Sequence, residues 1–144
     1  MWMHCLLAKP MRSWCTKPTI MKYLIWVIAE IVLVFVLLSL PGSTFTDRAG
    51  WLYLLPIDKI VHVILFGSLA WSIYSFFDNT TIQALKSIRV QAWAMICCIV
   101  YGIAMEYYQK WYVPSRGFEV KDMIADAAGV LLALPLYQLW KKRQ

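Results

Sequence analysis

Long apolar runs alternate with short polar joints along this chain, and their lengths set its class. The runs occupy 22–40 (KYLIWVIAEIVLVFVLLSL), 57–77 (IDKIVHVILFGSLAWSIYSFF), 90–112 (VQAWAMICCIVYGIAMEYYQKWY) and 122–140 (DMIADAAGVLLALPLYQLW). At about 1.5 Å rise per residue, each is long enough as a helix to cross the roughly 30 Å hydrocarbon layer of a bilayer. Pro41-Gly42 ends the first, Asp78-Asn79 breaks the second from the third, and Pro114-Ser115-Arg116-Gly117 turns the third into the fourth. The pattern predicts an all-α integral membrane bundle of four transmembrane helices. A run beginning at Met21 could instead be a cleaved signal peptide. Its apolar stretch exceeds the roughly 7–15 residues of a signal core and contains Glu30, so it reads as an anchor.

Composition agrees with the pattern. Hydrophobic residues make up 61% of the chain, against roughly 45–50% in soluble domains, and the mean hydropathy is +0.60. With 144 residues there is room for one domain, read as 21–144, after a basic N-terminal tail over 1–20 that reads as an upstream extension. The net charge of +6 does not call for nucleic acid, because the basic residues sit mainly at chain ends and in one joint. Lys9, Arg12, Lys17 and Lys22 precede the first run, Lys86 and Arg89 lie in the second joint, and Lys141, Lys142 and Arg143 close the chain. Fewer basic residues flank the other ends: Arg48, Lys59, Lys110, Arg116 and Lys121. By the positive-inside bias both termini are expected in the cytoplasm, at the cytoplasmic (inner) membrane.

The cysteines are uninformative about function. Cys97 and Cys98 are neighbours that project about 100° apart on a helix, and Cys5 and Cys15 lie in the basic tail, so no disulfide framework or zinc spacing is expected. Trp51, Tyr53, Tyr107, Tyr108, Trp111, Tyr112 and Trp140 cluster near run ends, as interfacial anchors do. His4 belongs to the tail.

The ionisable residues change the picture. Asp58, Lys59 and His62 open the second run, Glu106 and Gln109 lie near the end of the third, and Asp122 and Asp126 open the fourth, so all converge on one leaflet. Asp58/His62 and Asp122/Asp126 are spaced i, i+4 and Glu106/Gln109 i, i+3, which gives each helix one polar face. His62, Glu106 and Asp126 should lie roughly 5–10 Å below the outer interface. A charge facing hydrocarbon costs at least about 2.5–3.5 kcal/mol on insertion scales, so these groups should face each other. Gly67, Gly102 and Gly129 would let the helices approach, and Arg116 would hold one of the acids in a two-point fork. Asp58 and Asp122 are equally candidates for helix caps. Glu30, alone in mid-span, should point inward as a hydrogen-bonded group. His62, Glu106, Asp122 and Asp126 could chemically bind a divalent ion, yet no helix carries a paired-ligand signature such as HExxH, so no metal or other cofactor is expected.

Two segments, LPIDKIVHVILFGSLAW and YGIAMEYYQKWYVPSRGFEVKDMIADAAGVLLA, together resemble the signature halves of the VanZ-like family of small bacterial membrane proteins. The family pattern is met by Pro56, Asp58, Lys59, His62, Phe66, Glu106, Gln109, Pro114, Arg116, Phe118, Asp122 and Gly129. Asp126 stands where the family usually has asparagine, and Ala133 where it has a second glycine. The resemblance implies a link with the cell envelope, since the founding member is associated with low-level teicoplanin resistance.

Three readings are open at this level. Asp58, Lys59, His62, Glu106, Gln109, Arg116, Asp122 and Asp126 could line an outward-facing pocket for the head group of a membrane lipid or a lipid-linked cell-wall precursor. His62 and Glu106 could instead act as acid and base in a membrane enzyme working on a lipid-linked substrate, although no nucleophile motif accompanies them. The charges could also only staple helices together in a structural or partner-binding component, alone or as a homo-oligomer. A transporter is the weakest fit, because four helices without an inverted repeat offer no alternating-access design.

Overall fold

The computed structural model describes residues 17–41, 57–114 and 116–143. Four helices account for most of them: α1 Lys17–Leu38, α2 Ile57–Asn79, α3 Ile88–Tyr112 and α4 Val120–Lys141, with a 3-10 turn at Gln83–Lys86 before α3. All four are long and apolar enough to cross a membrane, and the described residues contain no strand. The protein is thus an all-helical, multi-pass membrane protein. Residues 1–16 of the basic tail, Trp51, Tyr53 and Pro56 lie outside the described residues, whereas 17–20, read as part of that tail, begin α1.

Helix ends differ from the apolar runs where polar contacts extend them. Asp78 and Asn79, read as a break, continue α2: the Asn79 side chain donates to the Ser75 carbonyl (2.8 Å), while Asp78 accepts from Tyr137 and Lys141 of α4. Charge does not break a helix whose last turn finds partners. Likewise α4 begins at Val120 and runs through Pro135, whose missing N–H a membrane helix tolerates.

Glycines set the tightest contact. A β-carbon on Gly129 of α4 would collide with the Val63 carbonyl oxygen of α2 and lie 3.0 Å from the Gly67 amide nitrogen. The two backbones therefore touch, and α2 and α4 pack together more closely than any other pair. Around this seam Leu65, Phe66, Leu69, Val130 and Ala133 form the buried core, joined by Val34 and Leu38 of α1 and Met105 of α3. Trp71, Tyr74 and Tyr137 continue it toward the opposite end through edge and stacked ring contacts.

α1 is peripheral. Only 6% of its most apolar stretch is buried, against 39% for α2. It is nevertheless tied to the bundle by polar contacts with α2 and α3. Ser68 donates to Glu30 (3.2 Å), Tyr101 to the Ile31 carbonyl (3.1 Å), and Gln109 to the Leu38 carbonyl (2.9 Å). Glu30 thus points inward at a hydrogen-bonding hydroxyl, as expected of a mid-span acid. An α1 held in this way has the contacts of an integral helix.

Those contacts also fix the up-down order. The end of α1 meets the end of α3 at Leu38/Gln109, and the end of α2 meets the end of α4 at Asp78/Lys141. Lys17 and Lys141 therefore lie at the same end of the bundle, and the start of α2, the end of α3 and the start of α4 share the other. Outward-facing Trp26, Ile28, Ile64, Trp93, Leu131 and Leu136 are exposed, an arrangement costly in water and natural against acyl chains.

Candidate functional site

Three helix ends supply the site. His62 lies between the first and second turns of α2, Glu106 two turns before the end of α3, and Asp126 between the first and second turns of α4. The packing that buries Phe66, Met105 and Val130 buries these polar groups with them: His62 and Glu106 are 0% exposed and Asp126 is 1% exposed. His62 Nδ1 lies 2.8 Å from Asp126 Oδ1 and 4.0 Å from Glu106 Oε1. The other Glu106 oxygen accepts the Glu119 amide at 3.3 Å, so the residue that caps α4 turns its backbone donor toward this carboxylate.

Gly102 makes room for the arrangement. A β-carbon there would come within 2.7 Å of Asp126 Oδ2, so the carboxylate of α4 sits directly on the backbone of α3. Of the three expected glycines, Gly67 and Gly129 bring backbones together and Gly102 accommodates a functional side chain.

Above the buried centre lies a rim of ion pairs. Lys59 Nζ contacts Glu119 Oε2 at 2.9 Å and Asp122 Oδ1 at 3.1 Å; Asp122 is nearly buried, Glu119 half exposed. Arg116 Nη2 meets Asp58 Oδ1 at 3.5 Å. The expected fork of Arg116 on an acid is therefore a single contact, with the half-exposed Asp58. Lys59 takes the place assigned to Arg116, because it starts α2 directly opposite the first turn of α4. Asp122 is not the cap of α4; that position is Glu119, whose side chain makes no capping bond.

Gln109 falls outside the centre. Its buried amide satisfies the terminal Leu38 carbonyl of α1, a structural role that spacing along α3 could not reveal. Glu119 is the rim residue that the sequence reading passed over. Its separation of three residues from Asp122 places both near Lys59, a signal available in principle.

The far end also holds polar chemistry. Asp78 accepts from Lys141 Nζ (2.5 Å) and Tyr137 Oη (3.1 Å), beside a cavity of about 290 Å³ also lined by Lys86 and Gln91. Tyr137 and Lys141 lie 59 and 63 positions from Asp78 on another helix, so no local spacing announces the contact.

Comparison with known proteins places the constellation. The VanZ/LLP1 family model matches residues 5–141, nearly the whole chain. The chain belongs to the VanZ/LLP1 family. An uncharacterized protein of Schizosaccharomyces pombe is similar, 29% identical over 123 residues that cover 85% of this chain and 72% of the relative. No solved structure matches the chain. Family membership and four apolar helices together define a multi-pass membrane protein in contact with lipid.

Proposed function

We propose that this VanZ-like protein binds the polar head group of a membrane lipid or lipid-linked precursor at the end of the bundle where α2, α3 and α4 converge, and through it affects envelope tolerance. One observation carries the reading: two cations, Lys59 and Arg116, stand at the rim over a fully buried His62–Glu106–Asp126 centre, and each holds an exposed partner. The side chains of Glu119 and Asp58 are 54% and 49% exposed. Because the Glu119 and Asp58 carboxylates stand in solvent, a phosphate can take their places on Lys59 and Arg116 while the apolar helix faces receive the lipid tails. By the distribution of basic residues, this end faces away from the cytoplasm.

The test is mass spectrometry of the intact protein released from detergent. Wild-type protein should carry phosphate-bearing lipid, and the Lys59→Ala/Arg116→Ala double variant, at equal expression and thermal stability, should lose most of it. Equal lipid occupancy in the two proteins would defeat the reading.

A second reading has its own support. The His62–Asp126 contact orients the imidazole as a carboxylate orients a general base, leaving Nε2 without a hydrogen-bond partner. A membrane enzyme acting on a lipid-linked substrate would use that nitrogen. Lipid turnover by purified protein that disappears in His62→Gln would select this reading over simple binding.

A further inference from the structure

We infer that His62, Glu106 and Asp126 form a binding site for one divalent transition-metal ion. The inference needs no lipid, so it stands or falls apart from the head-group reading. The sequence offers these donors without a paired-ligand spacing because each helix supplies a single ligand, so the expectation of no metal gives way here to the geometry.

Position comes first. One ligand atom from each of the three residues lies within 4.8 Å of the other two, and all three side chains are wholly enclosed. The three helices that carry them are fixed by the Gly67–Gly129 seam and by Asp126 seated on Gly102. A preformed donor set of this kind has already met the conformational cost of gathering its ligands.

The centre is also incomplete. His62 Nε2, Glu106 Oε1, Asp122 Oδ1 and Asp126 Oδ2 are buried without a hydrogen-bond partner. Buried polar atoms are nearly always paired, and each orphan costs about 1–3 kcal/mol. Of these, Asp122 Oδ1 has Lys59 3.1 Å away, whereas Glu106 Oε1 faces His62 Nδ1 at 4.0 Å with Asp126 Oδ1 2.8 Å from the same nitrogen, so an ion among these three atoms would give the Glu106 oxygen its missing partner.

Charge identifies that partner as a cation. Among the described residues, Lys59 serves Glu119 and Asp122, and Arg116 serves Asp58. Glu106 and Asp126 have, among the described residues, no lysine or arginine within 4.0 Å, and His62 is the one ionisable partner of both. If both enclosed carboxylates are ionised, one imidazole leaves at least one negative charge uncompensated even when protonated, a costly state in a low-dielectric interior. One divalent ion beside a neutral imidazole brings the centre to zero.

The donors select the kind of ion. Imidazole with carboxylates suits zinc and manganese, whereas calcium and magnesium prefer all-oxygen shells. Three protein ligands also leave a coordination position open, as in sites that act on a bound group. Asp58, His62 and Asp122 form a second cluster within the same 4.8 Å limit, but its two acids already hold Arg116 and Lys59. The ion therefore goes to the set whose carboxylates lack a cation. Glu106 further resembles a ligand held by an outer shell, since its second oxygen accepts the Glu119 amide.

The test uses the full chain, tag-free, in detergent, stripped with a chelator and titrated with Zn²⁺ or Mn²⁺. One ion per chain is expected by elemental mass spectrometry, and Co²⁺ substitution should give visible absorption bands of a nitrogen–oxygen site. Asp126→Asn keeps the side chain's size and should weaken binding at least about tenfold, as should Glu106→Gln. Asp78→Asn, at the far end of the bundle, should bind as wild type does. Asp126→Asn binding as tightly as wild type, or no stoichiometric uptake by a folded wild-type chain, would overturn the inference and leave the carboxylates sharing a proton. Should Glu106→Gln fail to fold, Asp126→Asn and the wild-type Co²⁺ spectrum still decide.

Discussion

Gly102 of α3 and Asp126 of α4 fit as notch and knob: a β-carbon on the glycine would lie 2.7 Å from the Asp126 Oδ2 atom and 3.0 Å from its Cβ. Gly102→Ala should therefore push Asp126 away from His62 and destabilise the protein by about 1–3 kcal/mol, the usual cost of overpacking. Thermal unfolding in detergent measures this. Shortening the knob should undo the damage, so Asp126→Ala should cost less in the Gly102→Ala background than alone, and strict additivity would refute the fit.

The same logic separates the other glycines. Gly129→Ala sets a methyl group against the Val63 carbonyl, a backbone atom that cannot rotate aside, and should cost about 2 kcal/mol or more by prising α4 from α2. Gly67→Ala meets its nearest atom at 3.5 Å, an ordinary contact, and should be tolerated. Gly117→Ala has nothing within 4 Å and should be neutral or stabilising by up to about 1 kcal/mol through reduced freedom of the unfolded chain. Unfolding midpoints in the order Gly117→Ala, Gly67→Ala, Gly129→Ala from highest to lowest would support the seam. A Gly129→Ala midpoint equal to that of Gly67→Ala would contradict it.

The fold was readable because a bilayer simplifies the code. A helix must be apolar for about 20 residues to cross, and in this chain four runs qualify, each within a few residues of an observed helix. The convergence of polar groups was readable too, since His62, Glu106 and Asp126 stand at comparable depths from run ends that topology brings together. Partner choice was not. Lys59 rather than Arg116 reaches Asp122, and Gln109 bonds the Leu38 carbonyl, because these outcomes depend on helix rotation and on distances between elements. Spacing along one helix encodes neither. Asp78 was misread for a related reason: its partners Tyr137 and Lys141 belong to a helix whose end is distant in sequence.

Gln109 should prove structural. Gln109→Ala removes the donor to the Leu38 carbonyl and leaves that buried acceptor unpaired, at a cost of about 1–3 kcal/mol. The loss should appear as a lower unfolding temperature and faster proteolysis or exchange in α1, with lipid occupancy and metal uptake unchanged in the folded fraction. Reduced ligand occupancy at full stability would return Gln109 to the site.

The ion pair at the far end should contribute little. Lys141 and Asp78 have side chains 56% and 36% exposed, so solvent and salt screen them despite their short contact. Lys141→Ala should change stability by no more than about 1 kcal/mol. Asp78→Asn also disturbs the hydrogen bond from Tyr137 and should cost more than Lys141→Ala. Thermal unfolding at low and high salt tests both, and a loss of several kcal/mol in Lys141→Ala would show the pair to be better shielded than its exposure implies.

Orientation completes the functional argument, because a head-group site in the outer leaflet requires the Arg116 joint to lie outside. The bundle puts Lys17, Lys86, Arg89 and Lys141 at one end, and the positive-inside bias assigns that end to the cytoplasm. In a cysteine-free background, Gly117→Cys should react in intact cells with a membrane-impermeant thiol reagent, and Gln83→Cys only after permeabilisation. Gly117 has open space around it, and Gln83 is exposed in its 3-10 turn, so neither substitution should disturb packing. The reverse labelling pattern would move His62, Glu106 and Asp126 to the inner leaflet, where the head group offered to Lys59 and Arg116 would have to be a cytoplasmic one.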